Sequence, residues 1–181
     1  MKTLNTYINE WKYNKNDETS IVKLTPKNFY ELTSLINKEY ERNPGYLDLR
    51  HIDVSLIKDF NKKNPYANSH VRDKRGHGYE SFGLFAMLDD IEIIDVTGWK
   101  FDSANELSNM FFMCTSLQEI KGIENWDVSN IKHISYMFYN CKNLRNIDLS
   151  NWNIKNIEDM NDTFLKCSST IIPSWYRNTN D

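Results

Sequence analysis

Apolar residues recur along the C-terminal half of the chain in two alternating rhythms. The first is a short stretch with apolar alternation at its end: Ile91-x-x-Ile94-x-Val96, Leu117-x-x-Ile120 and Leu144-x-x-Ile147-x-Leu149. Such spacing predicts short strands with one buried face, because successive strand side chains point to opposite sides. The second rhythm steps by three and four. Leu107, Met110, Phe111 and Cys114 form one set, and Ile131, Ile134, Met137, Phe138 and Cys141 a second. Ile157, Met160, Phe164 and Cys167 form the third. This spacing predicts one apolar stripe on a helix of about three turns. Between the two rhythms lie Asn125 to Asn130 and Asn151 to Asn156, whose Asn, Asp and Ser side chains suit turns and helix starts.

The two rhythms belong to one longer period. Cys114, Cys141 and Cys167 are separated by 27 and then 26 residues, as are Trp99, Trp126 and Trp152, and Phe111, Phe138 and Phe164. One such unit cannot bury its own apolar face. Stacking would join the strands into a parallel ladder and the helices into a second layer. Met110-Phe111 with Cys114, Met137-Phe138 with Cys141, and Asp148-Leu149-Ser150-Asn151-Trp152 resemble the BspA-like leucine-rich repeats of bacterial surface proteins and gut phage proteins. Thr163 departs from that pattern, where Met is usual, as in a capping repeat. The resemblance implies an α/β fold: a short leucine-rich-repeat solenoid over residues 47–181, with an N-terminal helical cap. His51 to Phe60 resembles Asn125 to Ile134 and reads as an earlier, degenerate unit. From Ile52 to Trp99 is 47 residues, about 20 more than one period, and the excess reads as an insertion near 61–83.

Residues 20–46 read as the cap. Ile21, Val22 and Leu24 suit a short strand. Thr25 and Pro26 suit the N-cap and first position of a helix carrying Phe29, Leu32, Leu35, Ile36 and Tyr40, which Asn43-Pro44-Gly45 stops. Residues 1–19 read as a leader or flexible segment. Their opening, Met1-Lys2-Thr3 with Tyr7 and Ile8-Asn9-Glu10, resembles the capsid-targeting leaders of internal head proteins of T-even-like phages. That resemblance implies cleavage after Glu10 and a place in a virion.

Composition narrows the function. Hydrophobic residues are 40% and charged residues 26%, the balance of a folded domain. A net charge of -3 gives no global attraction to nucleic acid or to an anionic membrane. No apolar run is long enough for a bilayer, and no secretory signal pattern opens the chain. Three cysteines cannot pair fully within one chain, so a reducing cytoplasm is expected, that of a host cell. A metal site would need closer ligand spacing than these cysteines show, and core packing is the plainer reading. His51, His70, His77 and His133 stand in no nucleophile or metal motif, so no catalytic residue, cofactor or enzyme activity is expected.

Two surfaces remain as partner-binding candidates. One is the outward side of the strands, with Glu119, Lys121, Arg145, Asn146 and Asp148; its mixed signs favour a protein partner, in bacteria, over nucleic acid. The other is the insertion, where Lys62, Lys63, His70, Arg72, Lys74, Arg75 and His77 lie near Tyr79. Basic and aromatic residues together can hold phosphates and stack on bases. The expected function is protein binding without a membrane, and with the phage leader, inhibition of a bacterial host or defence protein. Nucleic-acid binding through 61–83 is the alternative.

Overall fold

The computed structural model describes residues 23–62 and 83–177. It opens with helix α1, Phe29–Arg42. Its N-cap is Asn28, not Thr25: the Asn28 side chain accepts from the N–H groups of Tyr30 and Glu31, both at 3.0 Å. Glu31 reaches back to the Lys27 N–H at 2.8 Å, so the first turn is closed from both directions. The helix ends at Asn43, followed by Pro44 and by Gly45 with φ +92°. Its buried face, with Phe29, Leu32, Leu35 and Ile36, belongs to the core, and the helix packs on the first strand.

Three short strands form a parallel sheet: β1 (Tyr46–Asp48), β2 (Ile93–Asp95) and β3 (Glu119–Lys121), in that order. Leu47, Ile94 and Ile120 are in register and point inward. No strand forms over 144–149, although Leu144 and Leu149 are buried. Leu24 makes a single parallel bridge to Ile52.

The leucine-rich-repeat solenoid expected from the sequence is overturned. Regular structure among the described residues amounts to one helix, this small sheet and two short 3-10 turns, and there is no helical layer. The segments 107–114, 131–141 and 157–167, expected as helices, are strings of turns. Asn109 and Met113, Tyr136 and Asn140, and Asp162 and Lys166 all have φ between +53° and +64°. A left-handed residue every fourth position cannot belong to a right-handed helix. The hydrogen bonds explain what replaces it. Alternate N–H groups donate sideways, as from Leu107, Asn109, Phe111 and Met113 to the carbonyls of His133, Ser135, Met137 and Tyr139, at 2.8–3.0 Å. The groups between them close four-residue turns, as from Met110 to Leu107 and Phe112 to Asn109. Apolar residues three and four apart still point inward, so the pattern of burial is that of a helix without the helix.

The inward residues stack by type. Phe85, Phe111, Phe138 and Phe164 form one file, with ring centroids 5.2–5.5 Å apart. Trp99, Trp126, Trp152 and Trp175 form a second, 6.3–6.5 Å apart. Each such pair contributes about 0.5–1.5 kcal/mol beyond the apolar area it buries. The thiols of Cys114, Cys141 and Cys167 donate to the carbonyls of Phe85, Phe111 and Phe138 at 2.9–3.0 Å. Burial pushes the Cys114 thiol up to about 12 and that of Cys167 up to about 11. These cysteines are therefore packing groups with a weak donor, not nucleophiles.

The Trp file contains one irregular member. The indole N–H groups of Trp99, Trp152 and Trp175 donate to the carbonyls of Leu49, Ile123 and Leu149 at 2.8–3.2 Å. That of Trp126 is buried without an acceptor. Removing a bonded donor costs more than removing an unsatisfied one. Trp152→Phe is therefore expected to lower stability by about 1 kcal/mol more than Trp126→Phe, as read from paired urea midpoints.

Candidate interaction face on the sheet

Alternation along the strands sends Tyr46 and Asp48, Ile93 and Asp95, and Glu119 and Lys121 to the side of the sheet away from Leu47, Ile94 and Ile120. Asp48, Asp95 and Lys121 lie in one row across the three strands. Arg50 follows β1 and ties the row together. Its Nε and Nη2 donate to the two carboxylate oxygens of Asp48 at 3.0 and 2.9 Å, and Nε lies 3.5 Å from Asp95 Oδ2. The Tyr46 hydroxyl donates to the same Asp95 oxygen at 3.5 Å, and Lys121 Nζ sits 5.3 Å from the Tyr46 ring centroid.

The electrostatics follow from that arrangement. Burial alone would raise the Asp48 carboxyl, but the bonds and charge of Arg50 outweigh it and hold Asp48 below the usual carboxylate range. The bond to Asp48 in turn raises Arg50, which keeps its charge. Burial and the charges of Asp95 and Asp48 raise the Tyr46 hydroxyl, which stays a neutral donor. Behind this row His51 is buried, and burial lowers it to about 4, so at neutral pH it carries no charge into the core.

The structure places the sequence-derived candidates unequally. Glu119 and Lys121 stand on β3, half-buried. Arg145, Asn146 and Asp148 are exposed on the adjoining segment, which the Arg145 N–H joins to the Gln118 carbonyl at 2.9 Å. Asn146 is left-handed, with φ +54°, a conformation Asn tolerates better than most residues. Asp148 accepts from the Ser150 N–H at 2.9 Å, and the Ser150 bonds lower its carboxyl. Lys121 thus lies in the row begun by Asp48 and Asp95, and a single backbone bond ties the Arg145 segment to Gln118, just before β3. Lys62 is not in that row: its carbonyl accepts from the Gly83 N–H at 3.1 Å. Lys63, His70, Arg72, Lys74, Arg75, His77 and Tyr79 lie outside the described residues, as does Glu10 in the segment that the sequence suggests is a leader.

Tyr46, Asp48 and Arg50 were missed by sequence reasoning, which left Tyr46 in the cap. A signal was present: Tyr46-Leu47-Asp48-Leu49-Arg50 alternates strictly, and its Leu-Asp-Leu core mirrors Ile147-Asp148-Leu149.

Among the described residues no three His, Cys, Asp or Glu side chains are grouped to hold a metal ion. A groove of about 310 Å³ is lined by Trp99, Phe101, Asp102, Gly122 and Asp127 among others. Among the described residues no helix is long and apolar enough to cross a membrane. Neither a curated protein nor a solved structure matches the chain. A family model does match, over residues 81–178, more than half of the chain. The chain therefore belongs to the family described as "Mycoplasma protein of unknown function, DUF285".

Proposed function

We propose that this chain is a protein-binding module that engages a bacterial protein partner through the outer face of its sheet. The observation that supports the reading is the row of Asp48, Arg50, Asp95 and Tyr46, held by mutual hydrogen bonds and continued by Lys121. Asp48 and Asp95 are buried, so a partner would meet the accessible parts of Arg50 and Tyr46, which those carboxylates already hold in place and which therefore lose little freedom on binding. Both signs of charge alternate along the row, which suits a complementary protein and opposes a polyanion. Three free thiols suit the reducing cytoplasm of a bacterial cell as the place of action.

The test is charge reversal at the exposed end of the face. Glu119→Lys, Arg145→Glu and Asp148→Lys are combined, and affinity for the protein captured from bacterial lysate is measured with the melting midpoint. Affinity is expected to fall by about tenfold or more with the midpoint unchanged. Unchanged affinity would place binding elsewhere, and recovery of nucleic acid alone would sink the reading.

A further inference from the structure

The groove at Trp99 lies where the period of the chain is broken. The step from Ile120 to Trp126 is six residues, against five from Ile94 to Trp99 and five from Ile147 to Trp152. The additional residue falls in the stretch that holds Gly122 and the 3-10 turn Ile123–Asn125. The groove is lined by 98–102 and, one period on, by Gly122, Asn125, Asp127 and Asn130. The Trp file is irregular at the same place. Trp126 lies nearly parallel to Trp99 and Trp152, within 4° and 12°. The Trp152 indole donates to the carbonyl of Ile123, three residues before Trp126, and that of Trp99 to Leu49, three before Ile52. The matching carbonyl for Trp126 is that of Val96, three before Trp99, and it takes no such bond. Departures from a regular pattern that leave a buried donor unpaired concentrate at functional sites.

The groove holds polar groups that the fold does not use. Asp102 and Asn130 are exposed, and among the described residues no hydrogen bond engages either side chain. Asp127 is held by the Ser129 N–H at 2.9 Å, and Asn125 by its bond to Glu124 at 2.8 Å. Lys100 adds an ammonium to the lining. Gly98 keeps the space open, because a Cβ there would meet nothing within 4 Å. The lining thus combines donors, acceptors and the apolar atoms of Trp99 and Phe101.

That composition selects among small ligands. Two carboxylates, Asp102 and Asp127, oppose a phosphate. The Lys100 ammonium opposes a simple cation, and among the described residues no three ligating side chains gather for a metal ion. A hydroxyl donates and accepts at once, so it pairs with a carboxylate, a carboxamide or an ammonium. A sugar carries several hydroxyls, and between them C–H groups that suit an apolar lining. We propose that the groove is a sugar-binding site, in which Asp102, Asp127 and Asn130 take the hydroxyls.

The test titrates the isotope-labelled full-length protein with free hexoses, N-acetylhexosamines and their oligosaccharides, and follows the amide signals of Gly98, Gly122 and Asn130 by NMR. At least one sugar is expected to shift these signals saturably. Saturation by a monosaccharide would identify a free sugar as ligand, and saturation by an oligosaccharide alone the end of a glycan; either supports the proposal. Gly98→Asn puts a side chain into the open space, and Asn adopts a left-handed backbone readily. Asp102→Ala removes a hydrogen-bonding group that no neighbour uses. Each variant is expected to weaken the sugar by about tenfold or more while the melting midpoint moves little. No saturable shift with any sugar, tighter binding of inorganic phosphate or of spermidine, or undiminished binding by both variants would each overturn the proposal. None of these outcomes touches the charge-reversal test of the sheet face.

Discussion

Phe138→Ala is expected to cost about 3–5 kcal/mol, the range for removing a fully buried phenylalanine. The ring is fully buried in the middle of the Phe file, 5.5 Å from Phe111 and 5.3 Å from Phe164. Deleting it leaves a cavity with aromatic walls on both sides. Those walls cannot collapse, because their own backbones are pinned. The Phe111 N–H donates to the Met137 carbonyl at 2.9 Å, and the Phe164 carbonyl accepts from the Cys167 N–H at 3.1 Å. The Phe138 carbonyl also accepts the Cys167 thiol, so movement of this residue would disturb the next segment too. Domains of this size are stable by about 5–15 kcal/mol, so the loss is a large fraction of the whole. A urea midpoint lowered by less than the equivalent of about 1 kcal/mol would mean the file is not packed as described.

Gly122→Ala is expected to be nearly as damaging, at about 3 kcal/mol, from strain and overpacking together. The residue follows β3 with φ +86°. A Cβ there would lie 2.5 Å from the Thr97 Cα and 2.7 Å from the Thr97 nitrogen, backbone atoms that cannot move aside without shifting β2 against β3. Gly98 supplies the control. Its φ is +85°, yet a Cβ would meet nothing within 4 Å. Gly98→Ala is therefore expected to cost only the conformational strain, about 1 kcal/mol. Thermal midpoints of the two variants separate contact from strain; equal losses would show that the close approach at Thr97 contributes nothing.

Much of the interior was legible in the sequence, because burial follows spacing. Trp99, Trp126 and Trp152, and Phe111, Phe138 and Cys141, were placed in the core by their period of 27 and 26 residues, and they are there. What spacing could not distinguish was a helix from a string of turns, since both bring residues three and four apart to one side. The deciding information lay in residues between the apolar ones. Asn109, Asn140 and Asp162 are types that accept a left-handed backbone, and one stands in each unit, at one or other of its two left-handed positions. Met113, Tyr136 and Lys166 adopt the same conformation without any such local preference, so hydrogen bonding to the neighbouring segment decides it. The start of α1 was misplaced by three residues because Thr25-Pro26 and Asn28 both make sound helix starts. Only the reciprocal bonds of Asn28 and Glu31 choose between them. On the surface, their place between buried strand positions put Glu119 and Lys121 on a strand, and they stand on β3. The Arg50 clamp on Asp48 and Asp95 depends on the pairing of β1 with β2, 47 residues apart, which no local pattern displays.

The most direct test of the sheet face as a protein-binding surface is site-specific photocrosslinking in bacterial lysate. A benzoylphenylalanine is placed at position 119 on the face or, as a control, at exposed position 155. Position 119 is expected to yield one dominant protein adduct that is absent from position 155 and is competed away by unlabelled protein. The same adducts from both positions, or none from position 119, would contradict the account.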